Sequence, residues 1–377
     1  MTAGGPVGVL FGTRPEAIKL APVISELRAR GAPTVVITTG QHRELVDQVL
    51  AAFDIQPDHD LRLMRHGAGL DELLSRALVA VGEVLERSRP SALVVQGDTT
   101  STLAAALAAF HARVPVAHVE AGLRSGDLGL PFPEEMNRRV VSVVARWSFA
   151  PTETAADNLR REGYAGRVQV TGNTVVDALQ HIIALDADTS LPGGPHPPAP
   201  YILATAHRRE SWGAPIEQVA LALRDVLERR PEVSLVFATH PNPRARGPVD
   251  AVLAGHPRSQ VVDALDYRIF LRLLQGAVLA VSDSGGVQEE GPTLGVPVLV
   301  TRQLTERPEG LAAGAVKLVG TDRRLIGDQA LELLEQPELR QRMAAAGPAV
   351  YGDGHAGRRI VDTLLADLAV APDRADA

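Results

Sequence analysis

Short, uninterrupted apolar runs alternate with longer segments of helical pattern along most of this chain. A run that is apolar at every position suits a parallel strand covered on both faces, and strands that alternate with helices form βαβ units. The predicted strands are Val7–Phe11, Thr34–Thr39, Ala92–Gln96, Val116–Val119, Ser148–Ala150, Val168–Thr171, Tyr201–Thr205, Ser234–Ala238, Gln260–Val262, Val278–Ser282 and Val296–Val300. The pattern therefore predicts an α/β fold of doubly wound parallel sheets.

A stretch rich in proline and glycine interrupts this pattern near the middle of the chain. Between Asp188 and Pro200 there are five prolines and two adjacent glycines, which sustain neither a helix nor a central strand. A chain of 377 residues is also too long for one ordinary core. We therefore predict a Rossmann-like domain over residues 1–187, a linker over 188–200, a second Rossmann-like domain over 201–355, and a last segment over 356–377. We expect the ligand site in a cleft between the carboxyl ends of the two sheets.

Charge and composition exclude several classes of protein. The net charge of −7 argues against a general nucleic-acid binder, because phosphate contacts need a basic surface. The absence of cysteine excludes disulfides and thiolate chemistry, and the histidines show no metal-ligand spacing. No apolar run approaches the ~20 residues of a membrane helix, and the N-terminus lacks the basic region of a signal peptide. We expect a cytoplasmic protein with no metal, membrane or nucleic-acid partner.

The segment GTRPEAIK follows the first predicted strand. Pro15 suits the first turn of a helix, so Arg14 would lie at a helix N-terminus, where phosphate groups bind readily. Lys19 would follow a little over one turn later. A capped helix with a solvated arginine is the alternative interpretation.

A turn of small residues, in SDSGGVQEE, follows the predicted strand that ends at Ser282. The N–H groups around Ser284, Gly285 and Gly286 would open a helix and could hold a diphosphate. Glu290, about one turn later, could accept hydrogen bonds from ribose hydroxyls. Acidic residues near a helix N-terminus are also common for the helix dipole alone.

Carboxylates stand at the ends of strands in the first domain. Asp98 and Glu120 follow two successive predicted strands, and Glu134 opens a helix after Pro-Phe-Pro. Carboxylates crowded at one edge of a sheet shift each other's pKa apart, which suits acid and base catalysis. Each of them alone could instead be a helix cap or a surface acid.

Basic residues follow the first strand of the second domain, in AHRRES. His207 could donate to a phosphate or carry a proton, with Arg208 beside it, and His240 in THPNP is a weaker candidate of the same kind. A solvated basic loop is the alternative. The pattern GDGHAG near the C-terminus satisfies G-x-G-x-x-G but leaves no room for a βαβ unit, so we predict no NAD site.

Taken together, GTRPEAIKLAPV, TGQH, QGDTTST, HVEAGLRSGD, PFPEEMNRR, VTGNTVVDA, AHRRES, SDSGGVQEE and TERPEG resemble the non-hydrolysing UDP-N-acetylglucosamine 2-epimerases over nearly the whole chain. The resemblance implies a glycosyltransferase-B-like fold, a homodimer, and a last helix, after Gly354, that crosses back to the first domain. It implies an isomerase without a cofactor that interconverts UDP-GlcNAc and UDP-ManNAc for cell-surface polysaccharide synthesis. The implied route eliminates UDP to a 2-acetamidoglucal and adds it back with inversion at C2.

The same resemblance implies which residues act. Asp98, Glu120 and Glu134 would transfer the proton, assisted by Lys19 and His207. The substrate-binding candidates are Arg14, Lys19, His207, Arg208, His240, Phe270, Ser284, Gly285, Gly286 and Glu290, with Glu290 on the ribose and Phe270 near uracil. Gln41 and His42 match part of a region where UDP-GlcNAc activates some members of the family.

Three other functions stay open on the sequence alone. A glycosyltransferase of the same fold would use the same diphosphate pocket but would need an acceptor site instead of acids around C2. A hydrolysing epimerase would release free N-acetylmannosamine. A sensor would bind the nucleotide-sugar without chemistry. The three acids of the first domain favour the epimerase over the transferase.

Overall fold

The computed structural model describes residues 5–40, 43–64, 69–186, 195–206, 211–240 and 242–370, apart from the side chains of 43–45 and 186. The chain forms two compact units, of which the first contains Met1–His181 and Gly352–Ala377 and the second contains Ile182–Tyr351. Residues 188–194 of the predicted linker and 371–377 of the last segment lie outside the described residues. The predicted domain limits stay predictions.

The first unit contains a seven-stranded parallel sheet. Its strands are β1 Val7–Phe11, β2 Thr34–Thr38, β3 His59–Asp60, β4 Ala92–Gln96, β5 Val116–Val119, β6 Ala145–Ala150 and β7 Arg167–Val170. The helices that follow them in the chain are α1 Arg14–Ala29, α2 Arg43–Ala52, α3 Leu70–Ser88, α4 Thr100–His111, α5 Glu134–Val144, α6 Glu153–Arg161 and α7 Thr174–Asp186. The strand order is β3-β2-β1-β4-β5-β6-β7. Every residue of β1, β4 and β5 is buried, which explains why these strands are mostly apolar at successive positions.

The second unit repeats this arrangement with six parallel strands in the order β10-β9-β8-β11-β12-β13. The strands are β8 Tyr201–Ala206, β9 Ser234–Thr239, β10 Ser259–Val262, β11 Leu279–Ser282, β12 Val298–Val300 and β13 Val316–Leu318. The helices are α8 Ala214–Arg229, α9 Pro243–Leu253, α10 Tyr267–Gly276, α11 Gly285–Thr293, α12 Pro308–Ala312, α13 Arg323–Glu335 and α14 Pro337–Ala346. Two Rossmann-like doubly wound sheets confirm the predicted fold class.

The chain order reverses once in each sheet, between β1 and β4 in the first and between β8 and β11 in the second. Open α/β sheets bind ligands beyond the carboxyl ends of the strands at such a reversal. The segments GTRPEAIK and QGDTTST follow β1 and β4, and SDSGG follows β11, whereas residues 207–210 of AHRRES lie outside the described residues. The sequence motifs therefore fall where this fold places its ligand sites.

The last helix, α15 Ala356–Val370, belongs to the first unit and lies against α1. The Asp177 carboxylate accepts hydrogen bonds from the N–H groups of Ala356 and Gly357, at 3.2 and 2.8 Å, and so caps the helix. Gly357 lies so close to Pro22 of α1 that an added Cβ would be 3.2 Å from its backbone. Among the described residues, no helix combines the length and apolar character needed to cross a bilayer.

Candidate active site

The loop after β1 is tied to the loop after β4 by one buried carboxylate, that of Glu16. Its Oε2 accepts hydrogen bonds from the N–H groups of Gly12 and Thr13, at 2.8 and 2.6 Å. Its Oε1 accepts from the hydroxyl groups of Thr99 and Thr102, at 2.6 and 2.7 Å. The sequence analysis did not single out Glu16, although a glutamate three residues after a threonine is the signature of a capping box.

Two of the predicted residues, Lys19 and Glu120, form a buried ion pair between Lys19 Nζ and Glu120 Oε2. The Nδ2 of Asn173 lies 3.5 Å from the same oxygen. Glu120 has a φ of 62°, in the left-handed region that a glutamate adopts only at a cost in free energy. The structure thus pairs the predicted acid Glu120 with Lys19, the residue expected to assist it, and holds Glu120 in a strained backbone conformation.

The predicted acid Asp98 has a different partner, the guanidinium of Arg138. Arg138 Nη2 donates to Asp98 Oδ2, and the neighbouring Asn137 Nδ2 donates to the Asp98 carbonyl oxygen at 2.8 Å. Asp98 and Glu120 follow strands that pair with each other, with Gln96 opposite Val119. Arg138 was not among the sequence candidates, and its place one turn after Glu134 in α5 is the signal that could have indicated it.

The two glutamates that open α5 differ in their surroundings. Glu134 is the first residue of the helix and is half-buried. Glu135 is fully buried, and its carboxylate accepts from the N–H of Ser125 and from Arg139 Nε, both at 3.0 Å. Of this pair, only Glu134 is partly exposed.

Behind these acids lies His118, on β5. Its Nε2 is 2.8 Å from the carbonyl oxygen of Gly97, and its ring is fully buried. Burial lowers the pKa of His118 to about 4, and the hydrogen bond to Gly97 opposes this shift in part. The ring is therefore neutral at physiological pH.

In the second unit, Ser284 caps α11, which begins at Gly285. The N–H of Ser284 itself donates to Ser282 Oγ at 2.9 Å, and Ser282 Oγ is also hydrogen-bonded to Thr205 Oγ1 at 2.6 Å. No described group accepts from the N–H groups of Gly285 and Gly286. These two N–H groups, rather than that of Ser284, are available at the start of the helix.

Glu290 lies on the same short helix, and its carboxylate is buried beside the helix start. An added Cβ on Gly286 would be 3.4 Å from Glu290 Oε1, and the hydroxyl group of Tyr267 donates to this oxygen at 2.8 Å. Tyr267 opens α10 and was missed by the sequence analysis. Phe270, in the next turn of α10, is half-buried in the core of the second unit. Its proximity to uracil stays a prediction.

The guanidinium of Arg307, in the segment TERPEG, covers the first residue of α11. Arg307 Nε donates to Glu289 Oε1 at 2.6 Å, and Nη1 donates to Glu306. An added Cβ on Gly285 would lie 2.9 Å from Arg307 Nη1. A side chain at position 285 would therefore force this buried guanidinium to shift.

The remaining candidates contribute less to the described geometry. His207, Arg208, Gln41 and His42 lie outside the described residues. His240 is exposed; its Nδ1 accepts from the N–H of Asn242 at 3.1 Å, and its ring centroid is 5.5 Å from that of Trp212. Within the described ranges, no cluster of three or more histidine, aspartate or glutamate side chains is arranged to hold a metal ion.

Comparison with known proteins decides the family. A profile described as UDP-N-acetylglucosamine 2-epimerase matches residues 25–365. The chain belongs to the UDP-N-acetylglucosamine 2-epimerase family. The family member from Escherichia coli strain K12 is 44% identical over 366 residues, which cover 94% of this chain and 97% of the relative.

Solved structures of the family agree. The UDP-GlcNAc 2-epimerase of Neisseria meningitidis, solved bound to UDP-GlcNAc, has a TM-score of 0.91 at 42% identity and covers 96% of this chain and 100% of its own. The glycotransferase of kitacinnamycin, at 14% identity and a TM-score of 0.63 over 97% and 99% of the two chains, shares the fold alone. The predicted family, the isomerase class and the glycosyltransferase-B-like fold are confirmed.

Proposed function

We propose that this chain interconverts UDP-GlcNAc and UDP-ManNAc as a non-hydrolysing 2-epimerase. The proposal is supported by its membership of the family and by the relative from Neisseria meningitidis that is described as bound to UDP-GlcNAc. The observation that carries it is the pair of acids Asp98 and Glu120, which follow paired strands and are each matched with a buried cation.

The reaction makes two demands. The proton on C2 of the sugar is not next to a carbonyl group, so it becomes removable only as the bond from C1 to UDP breaks and C1 gains positive character. The electrons of the C2–H bond then form the C1–C2 double bond of a 2-acetamidoglucal, and UDP leaves with the electrons of the C1–O bond. A second proton transfer, to the opposite face, and re-addition of UDP give the epimer.

The first demand is stabilisation of the departing diphosphate. Arg14 is half-buried at the start of α1, and the N–H groups of Gly285 and Gly286 are available at the start of α11. Helix N-termini and guanidinium groups are suited to developing phosphate charge, because they are oriented before the reaction begins. We assign His207 and Arg208 to the same task.

The second demand is a pair of proton carriers on opposite faces of C2. Asp98, Glu120 and the half-buried Glu134 are the carboxyl groups that we assign to it. Lys19 stabilises the negative charge of Glu120 through their buried ion pair. In this scheme Lys19 assists catalysis without itself carrying the C2 proton.

The nucleotide is assigned to the second unit. Glu290 would accept hydrogen bonds from the ribose hydroxyl groups, and its carboxylate is already oriented by Tyr267. We place Phe270 near uracil and His240 near the diphosphate. Gln41 and His42 would contribute to activation by a second UDP-GlcNAc. We further propose a homodimer that supplies precursors for cell-surface polysaccharides.

The test is incubation of the purified protein with UDP-GlcNAc in D₂O, followed by proton NMR of the sugar. Appearance of UDP-ManNAc with deuterium at C2 of both epimers is expected. Free N-acetylmannosamine together with UDP would move the assignment to a hydrolysing epimerase. Binding without any change at C2 would refute the epimerase in favour of a transferase or a sensor.

Variants of the acids sharpen this test. We expect Asp98→Asn and Glu120→Gln each to lower kcat by about 10²–10⁴-fold, the usual contribution of general acid–base catalysis. The matched control is Asp127→Asn, which changes an exposed acid between β5 and α5. Equal activity of all three variants would contradict the assignment of the proton carriers.

A further inference from the structure

A buried guanidinium connects the predicted acid Asp98 to the interior of the first unit. The Arg138 side chain is only 4% exposed, and its Nη2 donates to Asp98 while its Nη1 lies 3.3 Å from Glu135 Oε2. Moving a charge out of water costs several kcal/mol unless it is well paired, so a buried arginine needs a reason in structure or in function.

On the side away from Asp98, the Arg138 guanidinium faces a carboxylate that is itself held in place, that of Glu135. Glu135 is fully buried, and its two oxygens accept from the N–H of Ser125 and from Arg139 Nε, both at 3.0 Å. A planar guanidinium held against such an anchor presents its remaining N–H groups in a fixed direction. The Arg138 guanidinium therefore cannot move along with the Asp98 carboxylate, as the ammonium group of a flexible lysine could.

On the other side of Arg138 lies the Asp98 carboxylate, of which only one oxygen accepts a hydrogen bond from a described residue. Oδ2 accepts from Arg138, and the Asp98 carbonyl oxygen accepts from Asn137 Nδ2 at 2.8 Å. No described group donates to Oδ1, and the Asp98 side chain is 24% exposed. Two successive residues of α5 thus fix both the backbone and one oxygen of Asp98, and they leave the other oxygen to receive a proton.

We propose that Arg138 is a positioning residue that orients the Asp98 carboxylate so that Oδ1 meets the proton on C2. This inference rests on the proposed function. It also assigns a task to Glu135, the second residue of α5, which anchors Arg138.

The test compares Arg138→Lys and Arg138→Ala with the wild type in UDP-GlcNAc epimerisation, measuring kcat and KM separately. Arg138→Lys keeps a buried positive charge but loses the planar guanidinium, whose N–H groups point in fixed directions. A displacement of about 1 Å at a reacting group costs about 100-fold in rate. We expect kcat to fall by about that factor while KM changes little. We expect guanidinium, at concentrations that leave the wild type unaffected, to restore part of the kcat of Arg138→Ala.

Arg160→Lys is the control, since Arg160 lies on α6 of the same unit, is 52% exposed and pairs with Glu153 and Asp157, away from Asp98 and Glu135. Its kcat should equal that of the wild type. Full activity of Arg138→Lys, or a loss that appears in KM instead of kcat, would overturn the positioning role. A wild type that does not epimerise UDP-GlcNAc would refute the proposed function and this inference with it, whereas an active wild type with an active Arg138→Lys refutes the inference alone.

Discussion

The two units share one strand order around their central strands, yet they build different chemistry at the strand ends. In the first unit the loops carry charged side chains locked in buried ion pairs, Lys19 with Glu120 and Arg138 with Asp98. In the second unit the corresponding turn is made of serine and glycine, and its buried acid Glu290 accepts from a neutral tyrosine hydroxyl group. A buried ion pair, Arg307 with Glu289, lies beside this turn but does not involve Glu290.

This difference shows that the fold provides the place and the residues provide the function. Paired carboxylates and cations are suited to moving protons, because each charge is stabilised by a fixed partner. Available N–H groups at a helix start are suited to holding a polyanion without moving protons. We therefore expect substitutions in the first unit to affect stability and catalysis most, and those in the second to affect nucleotide affinity.

The largest effect on stability is expected from Lys19→Met. It removes the cation from the buried Glu120 carboxylate, and breaking a buried pair costs about 3–5 kcal/mol of unfolding free energy. Urea unfolding followed by Trp147 fluorescence, in a Trp212→Phe background, reports the first unit alone. The double variant Lys19→Met/Glu120→Gln should recover part of the loss, and Arg30→Met, at an exposed pair after the same helix, should leave the midpoint unchanged. No loss in Lys19→Met would show that the pair is not a structural element of this unit.

The next largest effect is expected in the pH dependence of the unfolding free energy, to which His118 contributes. Burial lowers its pKa to about 4 from the usual 6.5, so between these values the unfolded chain binds a proton that the folded chain does not. The stability due to the neutral ring is present above pH 6.5 and is lost as the pH falls through 4, by up to roughly 3 kcal/mol.

His118→Gln should therefore reduce the difference in unfolding free energy between pH 7.5 and pH 4.5, as measured by urea unfolding at the two pH values. His111→Gln, on the exposed surface of α4, is the control and should behave as the wild type. An unchanged difference in His118→Gln would contradict a neutral, buried imidazole.

In the second unit, Gly285→Ala should destabilise more than Gly286→Ala. The new Cβ at 285 would lie 2.9 Å from Arg307 Nη1, and Arg307 is held by Glu289 and cannot yield easily, whereas at 286 the nearest atom is 3.4 Å away. We expect a loss of about 1–3 kcal/mol for the first and little change for the second. Unfolding followed by Trp212 fluorescence in a Trp147→Phe background measures both, and equal midpoints would show that Arg307 moves aside.

The smallest effect is expected from Tyr267→Phe, which removes a single oxygen. Loss of the hydrogen bond that orients Glu290 should weaken UDP binding by up to about tenfold, or about 1.4 kcal/mol. Calorimetry of the wild type and of Tyr267→Phe, each with UDP and with 2′,3′-dideoxyuridine diphosphate, gives the four affinities of a double-mutant cycle. The analogue lacks the two ribose hydroxyl groups that Glu290 would bind. The wild type and Tyr267→Phe should bind the analogue with the same affinity. An equal loss of affinity for both ligands would show that Tyr267 has no role in ribose recognition.

Sequence patterns located most of the elements, and their failures have local causes. β1, β4 and β5 have the predicted limits, because they are fully buried and mostly apolar, with Gln96 and His118 as their polar members. β12 begins at Val298 instead of Val296, since Pro297 has no N–H to donate to a neighbouring strand. β3 and β13 were missed, as they are edge strands of two and three residues with polar members and no hydrophobic pattern.

By itself the sequence determined the fold class, the family and the motifs that follow the central strands, because apolar periodicity and glycine or proline positions are local signals. Only the tertiary structure decided which charges pair. Lys19 and Glu120 are 101 residues apart, and Asp98 and Arg138 are 40 apart. Nothing local selects these partners. Lys19, Asp98 and Glu120 are brought to one edge of the sheet because β1, β4 and β5 pair in parallel, and Arg138 reaches that edge from α5, which packs on α4 and β5.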